Sequence, residues 1–202
     1  MITLGIDEVG RGCWAGPLVV AGVILDDSAN QYYDSKSISA QRRRMLAQDI
    51  QKRHDVAMAW IEPCAIDGSG IAESMRCAVA HVLSALLGDD PSDNHPRIVL
   101  DGIVNYAPPR YSIETLARAD AQVSAVAAAS IVAKVARDQY MTDQAKRFPD
   151  YFFDKHVGYG TAAHRQALEY YGLTPLHRTS FQPMKTMLAA ATDDEGWYGQ
   201  HV

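Results

Sequence analysis

The chain divides into short apolar runs, most of them early, and longer stretches in which apolar residues recur at helical spacing. The apolar runs are typical of strands and cover residues 1–9, 17–25, 56–61, 97–100 and 111–116, with Pro63 ending the third. Helical spacing covers residues 39–54, 72–87, 161–171 and 184–190, with Ser39 as the N-cap of the first helix. This order favours one α/β domain in which a mixed sheet carries helices on both faces.

Residues 121–148 are the most distinctive stretch, because residues 125–136 are apolar on nearly every side. A helix without a polar face belongs in the middle of a protein. Pro149 ends this helix, and a glycine-bearing loop at 156–160 follows. We expect a single domain over residues 1–190, including small C-terminal helices, and a frayed tail over residues 191–202.

The composition is that of an ordinary globular protein. Of 202 residues, 48% are apolar and 21% are charged. No apolar run approaches the ~20 residues of a membrane span, and the N-terminus lacks the features of a signal peptide. The three cysteines, Cys13, Cys64 and Cys77, are widely spaced, which favours reduced thiols over a disulfide framework or a zinc site. We therefore expect a cytoplasmic monomer without a membrane partner or an obligate protein partner.

The charge distribution leaves two interpretations open. The net charge of −5 does not indicate nucleic-acid binding. Residues 134–185 hold eight Lys/Arg and five Asp/Glu, which gives +3, and the remainder therefore carries −8. A solvated mixed surface explains this asymmetry about as well as a phosphate-binding face does.

Adjacent acids, Asp7 and Glu8, end the first apolar strand. Successive strand side chains point to opposite faces, so both reach one site only if the strand stops or bulges there. The sequence Gly10-Arg11-Gly12 supplies such a break. The alternative is an exposed, charged strand end.

Two further acids stand at the ends of elements. Asp101 follows the strand 97–100, and sites in α/β sheets gather at the carboxyl ends of strands. Asp120 precedes the buried helix. Each has a structural alternative, because Asp101-Gly102 is a common turn pair and an acid before a helix interacts favourably with its dipole.

Taken together, the four acids predict a site for hard cations. Carboxylates gathered without matching bases suit Mg²⁺ or Mn²⁺. Two such ions ~4 Å apart can activate water and stabilise the leaving oxygen of a phosphodiester. The chain contains no HExxH zinc motif, no GxxxxGKS/T phosphate loop, no GxSxG elbow and no GxGxxG dinucleotide motif.

Six blocks of sequence, in family order, resemble the signature motifs of the ribonuclease HII family. They are Asp7-Glu8-Val9-Gly10-Arg11-Gly12 with Ala15-Gly16-Pro17, Asp34-Ser35-Lys36, Leu100-Asp101-Gly102, Ala119-Asp120-Ala121 with residues 127–138, Gly158-Tyr159-Gly160-Thr161, and His177-Arg178-Thr179-Ser180-Phe181. One block alone is modest support, whereas six in order over roughly residues 2–184 are highly specific. Two departures are Arg118-Ala119, where the family commonly has lysine-glycine, and the bulky pair Cys13-Trp14.

The resemblance implies a ribonuclease H-like fold, with a central mixed β-sheet flanked by helices and a small C-terminal helical portion. It implies an endonuclease that hydrolyses the RNA strand of RNA–DNA hybrids and nicks duplex DNA 5′ of embedded ribonucleotides. The expected products carry 5′-phosphate and 3′-hydroxyl ends. The family's catalytic, metal-holding carboxylates match Asp7, Glu8, Asp101 and Asp120, which would bind two Mg²⁺ or Mn²⁺ ions.

The resemblance also assigns substrate-binding residues. The backbone of Gly10, Arg11 and Gly12 would sense the ribose 2′-hydroxyl, which distinguishes RNA from DNA. Tyr159 would lie against the sugar at the RNA–DNA junction, although a buried loop tyrosine is the alternative. Lys36 and Arg11 are candidate phosphate contacts.

Three other residues of the central-helix motif, Ser130, Lys134 and Asp138, have no assigned role. We expect Asp138 to be structural and bonded inside the fold.

Two rival functions remain at this point. One is a protein that binds hybrids and has lost cleavage, but clustered carboxylates repel phosphate unless cations neutralise them. The other is a metal-dependent hydrolase of a small phosphate ester. Such an enzyme would not need both the glycine motif, Gly10-Arg11-Gly12, and the tyrosine loop that contains Gly158-Tyr159-Gly160.

Overall fold

The computed structural model describes residues 1–26, 32, 38–88 and 95–193. Its strands are β1 (Ile2–Val9), β2 (Leu18–Asp26), β3 (Asp55–Ile61), β4 (Arg97–Asp101) and β5 (Glu114–Leu116). They form one sheet in the order β3-β2-β1-β4-β5. β1 pairs antiparallel with β2 and parallel with β4, which confirms the mixed sheet.

The helices include all those that the apolar spacing predicts. They are α1 (Ala40–Arg53), α2 (Pro63–Ser69), α3 (Ile71–Leu87), α4 (Ser124–Arg147), α5 (Phe153–His156), α6 (Ala162–Tyr171) and α7 (Met184–Asp193). Short 3₁₀ turns occupy Ala119–Ala121 and Pro149–Tyr151. The predicted cap is confirmed, since Ser39 Oγ accepts a hydrogen bond from Arg42 N at 3.2 Å.

Helices cover both faces of the sheet. α4 and α1 pack on one face, where Ala125, Ala129 and Ile131 lie against Val19 and Val99. α3 packs on the other face against Leu4 and Ile6 of β1. A third cluster joins α6 and α7 to α4 through residues such as Met141, Leu168 and Met184. These layers confirm the ribonuclease H-like architecture and place α4 in the interior.

Gly5 explains how closely α4 approaches β1. A side chain at this position would overlap backbone atoms of Ala125 and Val126. Only glycine allows the helix backbone to lie directly on the strand. The same contact brings Ser130 of α4 within hydrogen-bonding reach of Asp7.

Several local predictions differ from the structure. Pro63 ends β3 and also begins α2, because a proline at the first helical position loses no intrahelical hydrogen bond. β5 begins only at Glu114, while Tyr111 lies outside it and donates its hydroxyl to Gly88 O at 2.8 Å. α7 extends into the expected tail, and residues 194–202 lie outside the described residues.

In the described part of the chain, no single helix is long and apolar enough to cross a membrane. α2 and α3 meet that test only when joined, and they are bent by 117°.

Candidate active site

Three of the four predicted acids meet where β1 and β4 end. These strands are parallel, with Ile6 opposite Leu100, so Asp7 and Asp101 occupy neighbouring positions one residue further on. The negative charge of Asp101 acts on both Asp7 and Glu8. The centre of the sheet therefore gathers three carboxyl groups at one edge.

The predicted strand end after Asp7 and Glu8 is confirmed, because β1 ends at Val9 and Gly10-Arg11-Gly12 forms the turn that follows. β1 continues to Val9, and its register with β2 runs unbroken from Ile2–Asp26 to Val9–Val19. Asp7 faces α4 and contacts Ser130, whereas Glu8 lies on the face of Leu4 and Ile6. Both side chains still reach the end of β4, because they stand at the edge of the sheet, where no bulge is needed.

Burial makes the Asp7 carboxyl difficult to ionise without a counter-charge. Its side chain is 7% exposed, and burial raises its pKa to about 8, opposed by a hydrogen bond with Ser130 and reinforced by the charges of Glu8 and Asp101. Burial also raises the pKa of Glu8, while Arg11 opposes that shift. The Arg11 Nη1 to Glu8 Oε1 distance is 3.6 Å.

Asp101 links the sheet to the fourth acid. Its Oδ1 accepts a hydrogen bond from Ala119 N at 2.7 Å. This bond fixes the start of the 3₁₀ turn Ala119–Ala121, whose middle residue is the half-buried Asp120. The bond between Ala119 N and Asp101 therefore holds the backbone next to Asp120 at the edge where the other three acids meet.

This donor set fits a hydrated hard cation better than a closed protein cage. Among the described residues, no group of three or more His, Cys, Asp or Glu side chains could hold a metal ion unaided. Mg²⁺ is commonly bound by one or two carboxylates together with waters and substrate phosphates. The buried Asp7, with two carboxyls beside it, supplies the negative site that such a cation would neutralise.

The glycine loop 10–12 follows directly on β1. Gly10 has φ 85°, and a side chain there would overlap that of Arg137. Beside Gly12 there is open space, with no atom within 4 Å of where a Cβ would lie. The Arg11 side chain is 45% exposed and donates from Nη2 to Tyr106 Oη at 2.8 Å. The loop thus presents a fixed backbone with one open side.

Two fully buried arginines hold this loop and the segment that follows it, and neither was predicted from the sequence. Arg178 donates from Nη1 to Arg11 O at 2.9 Å and from Nη2 to Gly16 O at 2.9 Å. Arg137 donates from Nη2 to Ala15 O at 3.0 Å and from Nη1 to Val157 O at 2.8 Å. Both arginines lie inside recognised sequence blocks, which was the available signal.

The tyrosine loop, residues 156–160, is bonded to the segment that directly follows the glycine loop. Trp14 N and Ala15 N both donate to Gly158 O, at 2.9 and 3.2 Å. Tyr159 is 44% exposed, so the alternative of a buried loop tyrosine is wrong. Its hydroxyl shares a hydrogen bond with the buried Cys13 thiol. Tyr159 is thus held at its hydroxyl end while much of the side chain stays open to a ligand.

Two predicted residues remain. Lys36 falls outside the described residues. Asp138 accepts from Lys134 Nζ at 2.8 Å within α4. Its partner lies on the same helix and its side chain is 32% exposed, so Asp138 is paired as expected but on the helix surface and not inside the fold.

A sequence profile decides the family. The profile described as ribonuclease HII matches residues 4–184. The chain belongs to the ribonuclease HII family. A ribonuclease HII from Synechococcus sp. (strain WH7803) is 41% identical over 191 residues, covering 89% of this chain and 94% of the relative. As a member, the chain is a ribonuclease H, a hydrolase of the RNA strand in RNA–DNA hybrids.

Solved structures agree with the fold. The ribonuclease HII in a complex with PCNA from Archaeoglobus fulgidus is 26% identical, with a TM-score of 0.75, and the match covers 90% of this chain and 96% of that one. Bst-RNase HIII in complex with Mn²⁺ is 20% identical, with a TM-score of 0.70, over 96% of this chain and 71% of that one. At that identity, the second likeness concerns the fold alone.

Both departures from the ribonuclease HII pattern have structural accounts. Arg118 adopts φ 56°, and Ala119 is fully buried while its N–H holds Asp101. Trp14 fills the space beside Gly160, where a side chain would overlap its ring. Cys13 is the buried thiol that contacts Tyr159. The substitutions therefore contribute to the site without replacing any of its acids.

Three buried histidines lie beneath the tyrosine loop. The His156 and His164 rings stack at 4.4 Å, and His164 Nε2 lies 3.0 Å from His177 Nε2. Burial lowers the pKa of His164 to about 4 and that of His177 to about 3. At neutral pH the His164 and His177 rings are therefore uncharged.

We expect acid to destabilise the protein through these rings. Because their folded pKa values lie below the unfolded value of 6.5, their stabilising contribution is complete above that pH and is lost as pH falls towards 4. At pH 5, each of these two rings lowers the free energy of unfolding by about 2 kcal/mol compared with its value well above pH 6.5. The raised pKa of Asp7 acts in the opposite sense, so the measurement needs a matched variant.

That variant is His177→Gln. Urea unfolding at pH 7 and pH 5 should show a loss of stability about 2 kcal/mol smaller in the variant than in the wild type, since one titrating ring is gone. Asp7 contributes equally to both proteins. An equal loss in the two proteins would contradict the assignment.

Proposed function

We propose that this ribonuclease H also nicks duplex DNA 5′ of an embedded ribonucleotide, using two divalent cations held by Asp7, Glu8, Asp101 and Asp120. The observation that carries the proposal is the contact between two loops beside the acids. The glycine loop leaves β1 after Val9, next to Glu8, and the tyrosine loop is bonded to the segment just beyond it, where Gly158 O accepts from Trp14 N and Ala15 N. A phosphodiester at the acids would therefore have its sugars against these two loops.

The cations would supply the reactivity. When bound about 4 Å apart, two such ions activate water for attack on phosphorus and stabilise the leaving oxygen. Asp7 would bring the buried negative charge that binds them, and the Asp101 oxygen not bonded to Ala119 N would remain available as a ligand. Mg²⁺ or Mn²⁺ suits these oxygen donors.

The loops would provide selectivity. The open side of Gly12 allows a sugar to approach the backbone, so the peptide groups of residues 10–12 can bond a 2′-hydroxyl. The exposed Tyr159 ring would pack on the next sugar, where a deoxyribose fits and a 2′-hydroxyl does not. Arg11 would contact a phosphate, and Lys36 is proposed for the same role. Together these groups would recognise a ribonucleotide followed by DNA.

The test uses three substrates with added Mg²⁺ or Mn²⁺. These are a long RNA–DNA hybrid, a DNA duplex with one ribonucleotide, and a small phosphate monoester. The proposal expects cleavage of both duplexes and none of the ester. Cleavage of the hybrid alone would reject nicking at single ribonucleotides while leaving the family activity intact.

Tyr159→Ala should impair cleavage at a single ribonucleotide more than cleavage within a long hybrid, because only the first substrate depends on reading the deoxyribose. Tyr159→Phe should have a milder effect, since the ring remains and only the bond to Cys13 is lost. The measurement is the ratio of the two cleavage rates in each folded variant. Equal losses on both substrates in Tyr159→Ala would assign Tyr159 to general positioning.

A further inference from the structure

The buried histidines beneath the tyrosine loop form a hydrogen-bonded chain that ends on Tyr159. Thr174 N donates to His177 Nδ1 at 2.8 Å, His177 Nε2 lies 3.0 Å from His164 Nε2, and His164 Nδ1 lies 2.9 Å from Tyr159 O. His164 is 0% exposed and His177 is 2% exposed. Neither ring can exchange a partner with solvent.

The two ends of the chain fix the direction of every hydrogen bond. A backbone N–H only donates, so His177 Nδ1 accepts from Thr174 and the neutral ring carries its proton on Nε2. That proton is donated to His164 Nε2, which leaves the His164 proton on Nδ1. A carbonyl oxygen only accepts, so His164 Nδ1 donates to Tyr159 O. One proton per ring satisfies all three bonds.

His156 supports the same loop from the other side. Its Nδ1 accepts from Gly158 N at 3.2 Å, and its Nε2 donates to Tyr151 O at 2.7 Å. Its carbonyl accepts from Tyr159 N at 2.9 Å. The Tyr159 peptide groups are thus held from both directions, although Val157 and Gly158 beside them have positive φ angles of 44° and 88°. A loop with such backbone angles keeps its shape only if its surroundings hold it.

We propose that His164 and His177 are positioning residues for Tyr159, and that their proton-ordered chain sets how well the enzyme distinguishes one ribonucleotide in DNA from continuous RNA. The proposal rests on the role given to Tyr159 under the proposed function. Neither histidine touches the substrate; both act through the Tyr159 carbonyl. Tyr159 O also accepts from Thr161 N at 2.8 Å, so loss of the His164 bond removes one of its two donors and loosens the backbone that carries the ring, while the acids on β1 and β4 keep their places.

Two substitutions at one position separate this role from packing. The amide of Asn places an N–H near where His164 has Nδ1, so His164→Asn can still donate to Tyr159 O. The amide of Gln lies near the Nε2 position, so His164→Gln keeps a partner for His177 and loses the bond to Tyr159. Both variants replace the same buried ring by an amide.

The readout is the ratio of cleavage rates on the single-ribonucleotide duplex and the long hybrid. His164→Gln should lower that ratio by on the order of tenfold, since small displacements of a positioning group cost that much or more. His164→Asn should keep it within about twofold of the wild type. An unchanged ratio in His164→Gln, or equal loss of both activities in the two variants, would overturn the proposal.

A second measurement uses the wild-type protein and does not depend on activity or on the variants folding. Nitrogen-15 NMR of labelled histidines at pH 7 should show the Nδ1–H tautomer for His164 and the Nε2–H tautomer for His177. An Nε2–H tautomer at His164 cannot donate to Tyr159 O and would overturn the proposal. If the wild type failed to cut the single-ribonucleotide duplex, the proposed function would fail. The NMR measurement would still show whether the hydrogen bonds of His164 and His177 run in the proposed direction.

Discussion

Asp101→Asn is expected to leave the protein folded and to reduce Mg²⁺-supported cleavage by more than about 100-fold. Replacing even the outer-shell partners of metal ligands costs roughly 10–100-fold, so replacing a direct ligand should cost more. An amide is a poor ligand for a hard cation. The Asn side chain keeps an oxygen that can accept from Ala119 N, so the turn carrying Asp120 stays in place.

The matched control is Asp143→Asn on the exposed surface of α4. Asp143 is paired with Lys146 at 2.7 Å and lies outside the site. This variant loses the same charge and should retain near wild-type turnover. The measurement is the initial rate on an RNA–DNA hybrid, with circular dichroism to establish folding. A folded Asp101→Asn protein with near-normal cleavage would contradict the catalytic assignment.

Gly5→Ala is expected to destabilise the protein by about 3 kcal/mol or more, because overpacking against backbone allows no side-chain adjustment. Gly5 pairs with Val23 of β2 and Val99 of β4, so the strand cannot shift without breaking the sheet. A methyl group would overlap the α4 backbone at Ala125 and Val126. Separation of β1 from α4 would also move Asp7 away from Ser130.

Gly68→Ala is the control for this substitution. Gly68 lies in α2, and no atom lies within 4 Å of its expected Cβ. Alanine there should stabilise the protein by roughly 0.5–1 kcal/mol, as expected for glycine within a helix. Urea unfolding of both variants provides the measurement. Equal unfolding midpoints would show that the contact between Gly5 and α4 is not tight.

The positions of the four acids could be predicted because each stands near the end of an element with a clear pattern, and their catalytic role stays a prediction. Asp101 closes a short apolar strand, and the apolar stretch after Asp120 indicates a buried helix. Because sites in α/β sheets lie at the carboxyl ends of the strands, these two features predict the edge of the sheet at which the acids lie. The end of β1 at Val9 could be predicted from the glycines that follow it, whereas its register with β2 could not, because that register depends on pairing between the two strands.

The groups that hold the loops were beyond sequence reasoning for a different reason. Arginine is rarely fully buried, and the carbonyls that receive Arg178 and Arg137 are far away in the chain, at Arg11 and Ala15 among others. His164 and His177 are separated by 13 residues in the sequence, and their rings meet only in the folded structure. Apart from their contact with each other and that of His177 with Thr174 Oγ1, their partners are backbone atoms, which leave no pattern in side-chain identity.

The most direct test of the account is the position and chemistry of the cut in a DNA duplex with one ribonucleotide. We expect a divalent-cation-dependent nick on the 5′ side of the ribonucleotide, leaving a 3′-hydroxyl on a deoxynucleotide and a 5′-phosphate on the ribonucleotide. The upstream sugar has no 2′-hydroxyl, so water must be the nucleophile at that bond. A cut on the 3′ side that left a 2′,3′-cyclic phosphate without added cation would mean attack by the substrate's own hydroxyl and would contradict the account.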